Sequence, residues 1–197
     1  QPYVITDNSY SEQPYNLLLV ERFITCIGAH RKRRYVVPLA FIIGTAGSGK
    51  SLFTAAFAEW LKMSKQDVAV VNLDPGALKL PYQPDVDVRN YVDVGDIMEK
   101  YALGPNGALI MAADLIADEI ENLTRDIEEA HADLVLVDTP GQMELFAFRA
   151  SGPYIVNELT KEPKAIVYLF DAVFSVNPLN YVSNMFLSAA VYNRFFQ

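Results

Sequence analysis

Cysteine is nearly missing from this chain: its 197 residues hold one, Cys26. No disulfide can close within it, and a reducing compartment such as the cytoplasm is the natural expectation. Histidine is almost as scarce. His30 and His131 both lack the companion ligands and spacing of a metal site, and neither is assigned a role. No apolar run approaches the ~18 residues that read as a bilayer span. Near the start, the short run Leu17–Val20 gives way at once to Glu21 and Arg22. Neither a membrane partner nor a secretory leader is expected. Positive charge is in short supply too: 16 Lys and Arg against 24 Asp and Glu leave a net charge of −8 and a pI near 4.7. Acidic faces repel phosphate backbones, which argues against a nucleic-acid partner.

What remains is a chain long enough for one α/β domain, which should bury roughly 70% of its unfolded surface. Residues 1–36 show no period and carry the basic run His30-Arg31-Lys32-Arg33-Arg34. They read as an irregular, solvated leader whose texture is foreign to the rest of the chain. The domain proper is expected over 37–197, incomplete at its C-terminal side. Gln1 stands where a methionine would open a chain, the first methionine is Met63, and Gln197 falls inside a helical pattern. A piece of a longer protein is therefore expected.

From Leu39 the pattern becomes regular. Leu39-Ala40-Phe41-Ile42-Ile43 is a continuous apolar run ending in glycine, as for a parallel strand covered on both faces. Leu52–Met63 reads as a helix, Val68–Leu73 as a second buried strand, Leu134–Val137 as a third and Ala165–Phe170 as a fourth. Between the second and third lies a long helix, from about Gly107 to about Ala130. Its apolar residues Leu109, Ala112, Ile116, Ile120, Leu123 and Ile127 share one helical face. Strands alternating with helices imply a parallel sheet flanked by helices, a three-layer α/β/α architecture of the phosphate-loop NTPase class.

Gly44-Thr45-Ala46-Gly47-Ser48-Gly49-Lys50-Ser51 matches G-x-x-x-x-G-K-[ST] at every fixed position, between an apolar strand and an amphipathic helix. The spacing has a chemical reason. Glycines let backbone N–H groups, Ala46 to Leu52 among them, turn toward phosphate oxygens without Cβ clashes. Lys50 brings a charge for the β- and γ-phosphates and the Ser51 hydroxyl a ligand for Mg²⁺. The helix that starts there aims its positive end at the anion.

Asp138-Thr139-Pro140-Gly141 comes directly after the third strand. It is D-x-x-G where nucleotide hydrolases place their second metal residue: Asp138 for Mg²⁺, the Gly141 N–H for the γ-phosphate. Gln142, next in line, suits the orienting of an attacking water, with a plain helix-start glutamine as the alternative. Asp74-Pro75-Gly76 ends the second strand, so Asp74 projects from the carboxyl edge where open α/β sheets bind ligands. It is a candidate for the metal or the water, or else a turn residue. Asp171, after the fourth strand, is read as a turn.

Gly104-Pro105-Asn106, alone, is a tight turn opening the long helix. Together with the phosphate loop, Val71-Asn72-Leu73-Asp74-Pro75-Gly76, Leu80-Pro81-Tyr82, Asp87-Val88-Arg89 and Asp138-Thr139-Pro140-Gly141-Gln142, it resembles the GPN-loop GTPase family over about residues 39 to 197. The wording around Leu80-Pro81-Tyr82 and Ile97-Met98 is nearest the archaeal members. The resemblance implies a homodimer that binds GTP or GDP with Mg²⁺, in which Asn106 reaches the γ-phosphate of the other subunit. A neutral amide stabilises transition-state charge less than arginine, so intrinsic hydrolysis should be slow. Two departures stand out. Leu52 takes a place where the family often has threonine. The family's guanine-reading Asn-Lys-x-Asp run, expected after a Pro178–Phe196 helix, is not in this sequence.

Other readings were open. A small-molecule kinase needs a basic lid, and the one basic cluster precedes the phosphate loop. A partitioning-type ATPase carries an extra lysine early in that loop, where Thr45 and Ala46 stand. A non-catalytic, nucleotide-gated dimer scaffold is the third. Of the aromatic clusters, Met143, Leu145, Phe146 and Phe148 are expected to pack the helix after Gln142. Tyr181, Phe186, Tyr192, Phe195 and Phe196 should supply core plus a face for a further strand.

Overall fold

A computed structural model of the chain describes residues 37–160 and 164–196. The expectations for Cys26, Leu17–Val20, His30 and the basic run lie outside the described residues. The rest fall in one compact unit spanning 37–197.

Five strands form one parallel sheet: β1 Leu39–Gly44, β2 Val68–Asn72, β3 Val86–Asp87, β4 Leu134–Asp138 and β5 Lys164–Leu169. Their order is β3-β2-β4-β1-β5. β1, β2 and β4 are buried along their whole length, which is why their sequences run apolar without alternation. β5, at the sheet's edge among the described residues, is half-buried throughout.

The helices are α1 Lys50–Met63, α2 Val94–Tyr101, α3 Pro105–Asp118, α4 Ile120–Glu129, α5 Met143–Ala147, α6 Ser151–Glu158 and α7 Pro178–Phe195. Alternate residues of β1 divide between two faces of the sheet. Leu39, Phe41 and Ile43 join one apolar core with Ala112, Ile116 and Leu123 of α3 and α4, Ile155 of α6 and Phe195 of α7. Ala40 and Ile42, equally buried, belong to the other face, where α1 packs on β1, β2 and β4 through buried Thr54, Ala58 and Leu61. That gives the three layers expected.

The long helix is not continuous. It breaks at Glu119, whose backbone (φ −91°, ψ 10°) leaves the helical region. There the Glu119 N–H donates to Ile116 O at 3.2 Å, a tighter i→i+3 bond, and Leu123 N–H donates back to Glu119 O. The start differs too. Gly104 is the N-cap and Pro105 the first helical residue, a position that needs no N–H. Asn106 therefore sits within the first turn of α3, not in a turn before it.

Met143 and Phe146 are buried as expected, and Phe146 packs against Phe195 with ring centroids 6.0 Å apart. Phe148 is 39% exposed, because α5 ends at Ala147 and the chain turns away. Tyr181, Phe186, Tyr192 and Phe196 are exposed on α7 and just beyond it. Among the described residues no helix is long and apolar enough to cross a membrane.

Candidate functional site

The loops after β1, β2 and β4 meet at the carboxyl edge of the sheet, because β4 lies between β1 and β2. The register makes this local: Ile42 pairs with Asp138, and Asp138 with Asn72. Two bonds tie the strand ends together. Thr139 Oγ1 donates to Ile42 O at 2.7 Å, and Leu73 N–H donates to Asp138 O at 2.8 Å.

The phosphate loop turns through two left-handed glycines, Gly47 (φ 78°) and Gly49 (φ 86°). Gly49 also caps α1, whose first amides, at Lys50, Ser51 and Leu52, precede the first intrahelical bond from Phe53 N–H to Gly49 O. Gly44 has no room for a side chain: a Cβ there would stand 2.6 Å from Ser48 Oγ and 2.7 Å from Leu169 O. Ala46, Gly47 and Gly49 are exposed at the loop's surface. Leu52 is 67% exposed. The backbone amide is common to leucine and threonine, so the exchange leaves that donor in place.

Lys50 is buried, 6% exposed. Its ammonium donates to Gly44 O and Thr45 O, both at 3.0 Å, and more weakly to Gly141 O at 3.4 Å. Three carbonyl oxygens thus surround it, and the lysine bridges the two loops. Burial pushes Lys50 below the ordinary lysine range, against the opposing charges of Asp138, Asp74 and Glu144.

Asp138 is fully buried. Its Oδ2 accepts the Tyr82 hydroxyl at 2.7 Å, while Oδ1 is buried with no hydrogen-bond partner within normal limits. Burial raises this carboxyl above the usual range; the Ser51 hydroxyl beside it, Tyr82 and Lys50 draw it back. Burial and the Asp138 charge push the Tyr82 phenol far above the ordinary tyrosine range, so it is a standing donor.

This arrangement fits Mg²⁺. The ligand set is all oxygen, a serine hydroxyl set against a buried carboxylate, as a hard cation prefers. Among the described residues no group of three acidic, histidine or cysteine side chains could hold an ion unaided. Such an ion takes the rest of its shell from phosphate and water.

Asp74 enters through its carboxylate. Oδ2 accepts the Gly141 N–H and Oδ1 the Gly76 N–H, each at 2.9 Å. It is both a turn residue and a site residue, and it engages the very amide that the sequence pattern assigns to the γ-phosphate. Gln142 is the N-cap of α5, exposed and without a side-chain cap bond, so its amide is free to face a ligand.

Gly104, Pro105 and Asn106 are all exposed and make no described contact with Lys50, Ser51 or Asp138. Their helix does reach the site's edge: a Cβ on Gly76 would meet Leu109 Cδ2 at 2.8 Å. Asp171 is a turn residue, accepting the Phe174 N–H at 2.9 Å. His131 is exposed, in a left-handed turn (φ 51°) after α4.

Five residues had no role assigned from sequence. Tyr82 caps Asp138, and Glu144 lends charge near Lys50. Asn72, Asp87 and Arg89 brace the Asp74 turn. Buried Asn72 accepts the Asp74 N–H at 3.0 Å and donates to Asp74 O at 3.2 Å and Asp87 Oδ1 at 2.9 Å. Arg89 grips Asp87 through two nitrogens and donates to Ala77 O at 2.7 Å. For Asn72 a signal existed: an amide inside an otherwise apolar strand needs buried partners.

Comparison with known proteins agrees with this geometry. A family model described as "Conserved hypothetical ATP binding protein" matches residues 42–195. GPN-loop GTPase 1 of Saccharomyces cerevisiae is 34% identical over 152 residues, covering 76% of this chain and 40% of its own. GPN-loop GTPase PAB0955 of Pyrococcus abyssi is 38% identical over 145 residues, covering 73% and 57%. The crystal structure of PAB0955, a GTPase in apo form, aligns with a TM-score of 0.72 at 35% identity, over 80% of this chain and 63% of that one. The chain spans about 40 to 57% of the length of these two curated relatives. The archaeal relative matches at 38% identity, and eukaryotic ones at 30 to 35%. Family model, relatives and fold agree: the chain belongs to the GPN-loop GTPase family.

Proposed function

We propose that the chain binds GTP with Mg²⁺ and hydrolyses it slowly, as a homodimer whose state depends on the nucleotide. One observation carries this reading: Lys50 lies buried between the phosphate loop and Gly141, beside the Ser51 hydroxyl and the buried Asp138 carboxylate.

In this reading Gly44 and the amides from Ala46 to Leu52 surround the phosphates, and Lys50 exchanges its carbonyl partners for phosphate oxygens. Ser51 and Asp138 would hold Mg²⁺, with Asp74 close by. The ion would neutralise charge on the β- and γ-phosphates. Gln142 orients the attacking water, and Asp74 is placed to accept its proton. Asn106 of a second copy adds a neutral donor at the γ-phosphate. The exposed glycine-proline-asparagine helix start supports that role, since it is open to another molecule. Loss of the γ-phosphate then frees Gly141 for Asp74 and relaxes the pair, a switch by loop rearrangement. GTP rather than ATP rests on the relatives' names; the site's described residues are those of the phosphate end.

The test is Asn106→Ala. Nucleotide affinity should hold while single-turnover hydrolysis slows, and mixing with a Lys50→Ala chain, whose own site is empty but whose Asn106 is intact, should restore part of the rate. Unchanged turnover in Asn106→Ala would remove the role in trans.

A further inference from the structure

The segment 78–84 is held in an unusual way. Before it, Ala77 O is fixed by Arg89 at 2.7 Å. After it, Asp85 is fixed to β2 twice: its N–H donates to Val70 O at 2.8 Å, and its Oδ2 accepts the Val70 N–H at 2.7 Å. Between these anchors, among the described residues, the Tyr82 hydroxyl on Asp138 is the only hydrogen bond the segment makes to the rest of the chain. Packing is partial: Leu80, Tyr82 and Pro84 are half-buried, and hollows of about 460 and 510 Å³ are both lined by Tyr82 and Gln83. Leu78 is 95% exposed. The tyrosine is thus presented to the carboxylate by a strap with fixed ends.

That contact has a direction. A hydroxyl on Oδ2 fixes the rotation of the Asp138 carboxylate and uses up that oxygen. Oδ1 stays buried without a well-formed hydrogen bond, and the Ser51 hydroxyl lies beside the carboxylate. A buried oxygen so weakly matched is costly in a structure kept only for stability, whereas one held ready beside a serine hydroxyl suits an incoming cation. We propose that Tyr82 is the positioning residue for Asp138: its O–H orients the carboxylate so that Oδ1 faces the magnesium of the bound nucleotide. The proposal rests on the magnesium-nucleotide reading above and deepens it. Tyr82 touches neither nucleotide nor ion; it acts through Asp138. Outer partners of ligating groups act this way generally, by restricting the ligand's orientation.

Tyr82→Phe removes only the hydroxyl. In the full chain, magnesium chloride is titrated in the presence of guanosine diphosphate and binding is measured by calorimetry, with a parallel titration of the diphosphate in EDTA. The magnesium concentration at half-saturation should rise about 10- to 100-fold. Affinity for the diphosphate in EDTA should stay as in wild type, because Lys50 and the loop amides are untouched. Turnover should return at saturating magnesium. An unchanged magnesium half-saturation would overturn the proposal. So would an equal loss of affinity with and without magnesium, since that marks a general loosening of the site. Absence of any magnesium-strengthened binding in wild type is a different result: it overturns the nucleotide reading itself, and this proposal with it.

Discussion

The Asp74 carboxylate accepts the Gly141 amide proton at 2.9 Å, joining the turn after β2 to the loop after β4. A γ-phosphate that takes this amide must displace a carboxylate that already holds it. In the function proposed above the two anions compete for one donor, which would tie the position of Asp74 to the phosphorylation state of the nucleotide.

Asp74→Ala should therefore bind a non-hydrolysable triphosphate at least as tightly as wild type, since a competitor and a like charge are gone. Turnover should fall by about 100-fold or more, the usual contribution of a positioned proton acceptor. Binding by calorimetry and single-turnover rates together check this. Undiminished turnover would remove Asp74 from the reaction.

Two glycines should refuse alanine, for steric reasons of different weight. At Gly152 an added Cβ would stand 1.8 Å from the backbone oxygen of Phe146. Neither backbone can yield, so Gly152→Ala should cost on the order of 3 kcal/mol or more by urea unfolding. Gly44→Ala meets Leu169 O at 2.7 Å and the more yielding Ser48 hydroxyl. Its stability loss should be smaller, about 1–3 kcal/mol, with nucleotide binding lost because the loop must open. Equal stabilities of the two variants would contradict the geometry.

Much of this was legible in the residues themselves. An apolar strand running into glycine placed the phosphate loop, and Asp138 and Asp74 were marked by where their strands end. The break at Glu119 was not legible, because the apolar spacing from Ile116 to Ile120 to Leu123 keeps one face across it. Nor was the partnership of Tyr82 with Asp138. It joins residues 56 positions apart, and it exists because β2 and β4 are neighbours, a fact of topology. Asp87 ends the two-residue β3 and Arg89 lies in the single 3-10 turn that follows it, elements too short for periodicity to carry information. Their service to the Asp74 turn shows only as hydrogen bonds.

Asp87 should contribute to acid sensitivity. Burial acts to raise its carboxyl, but hydrogen bonds from Arg89 and Asn72 outweigh it and hold Asp87 below its ordinary 3.8. The folded chain thus binds this proton less readily than the unfolded one. The stabilisation is complete above about pH 4 and fades as pH falls through the lower, folded value. Arg89→Met should flatten the acid side of the stability profile and lower stability at neutral pH by about 1 kcal/mol, as for a partly exposed pair. Unfolding midpoints in urea across that range check it, and an unaltered acid slope would count against the bracing role.

In the proposed function the loop from Gly44 to Ser51 holds a triphosphate through backbone amides and one buried ammonium. Calorimetry of GTP with magnesium, on wild type and on Lys50→Met, tests it most directly. The methionine keeps roughly the side chain's length and loses the bonds to Gly44 O, Thr45 O and Gly141 O, so urea unfolding first verifies that the variant is folded. Saturable heat with wild type and none with folded Lys50→Met is the predicted result. Equal binding by both proteins, or no heat with either, would contradict the account.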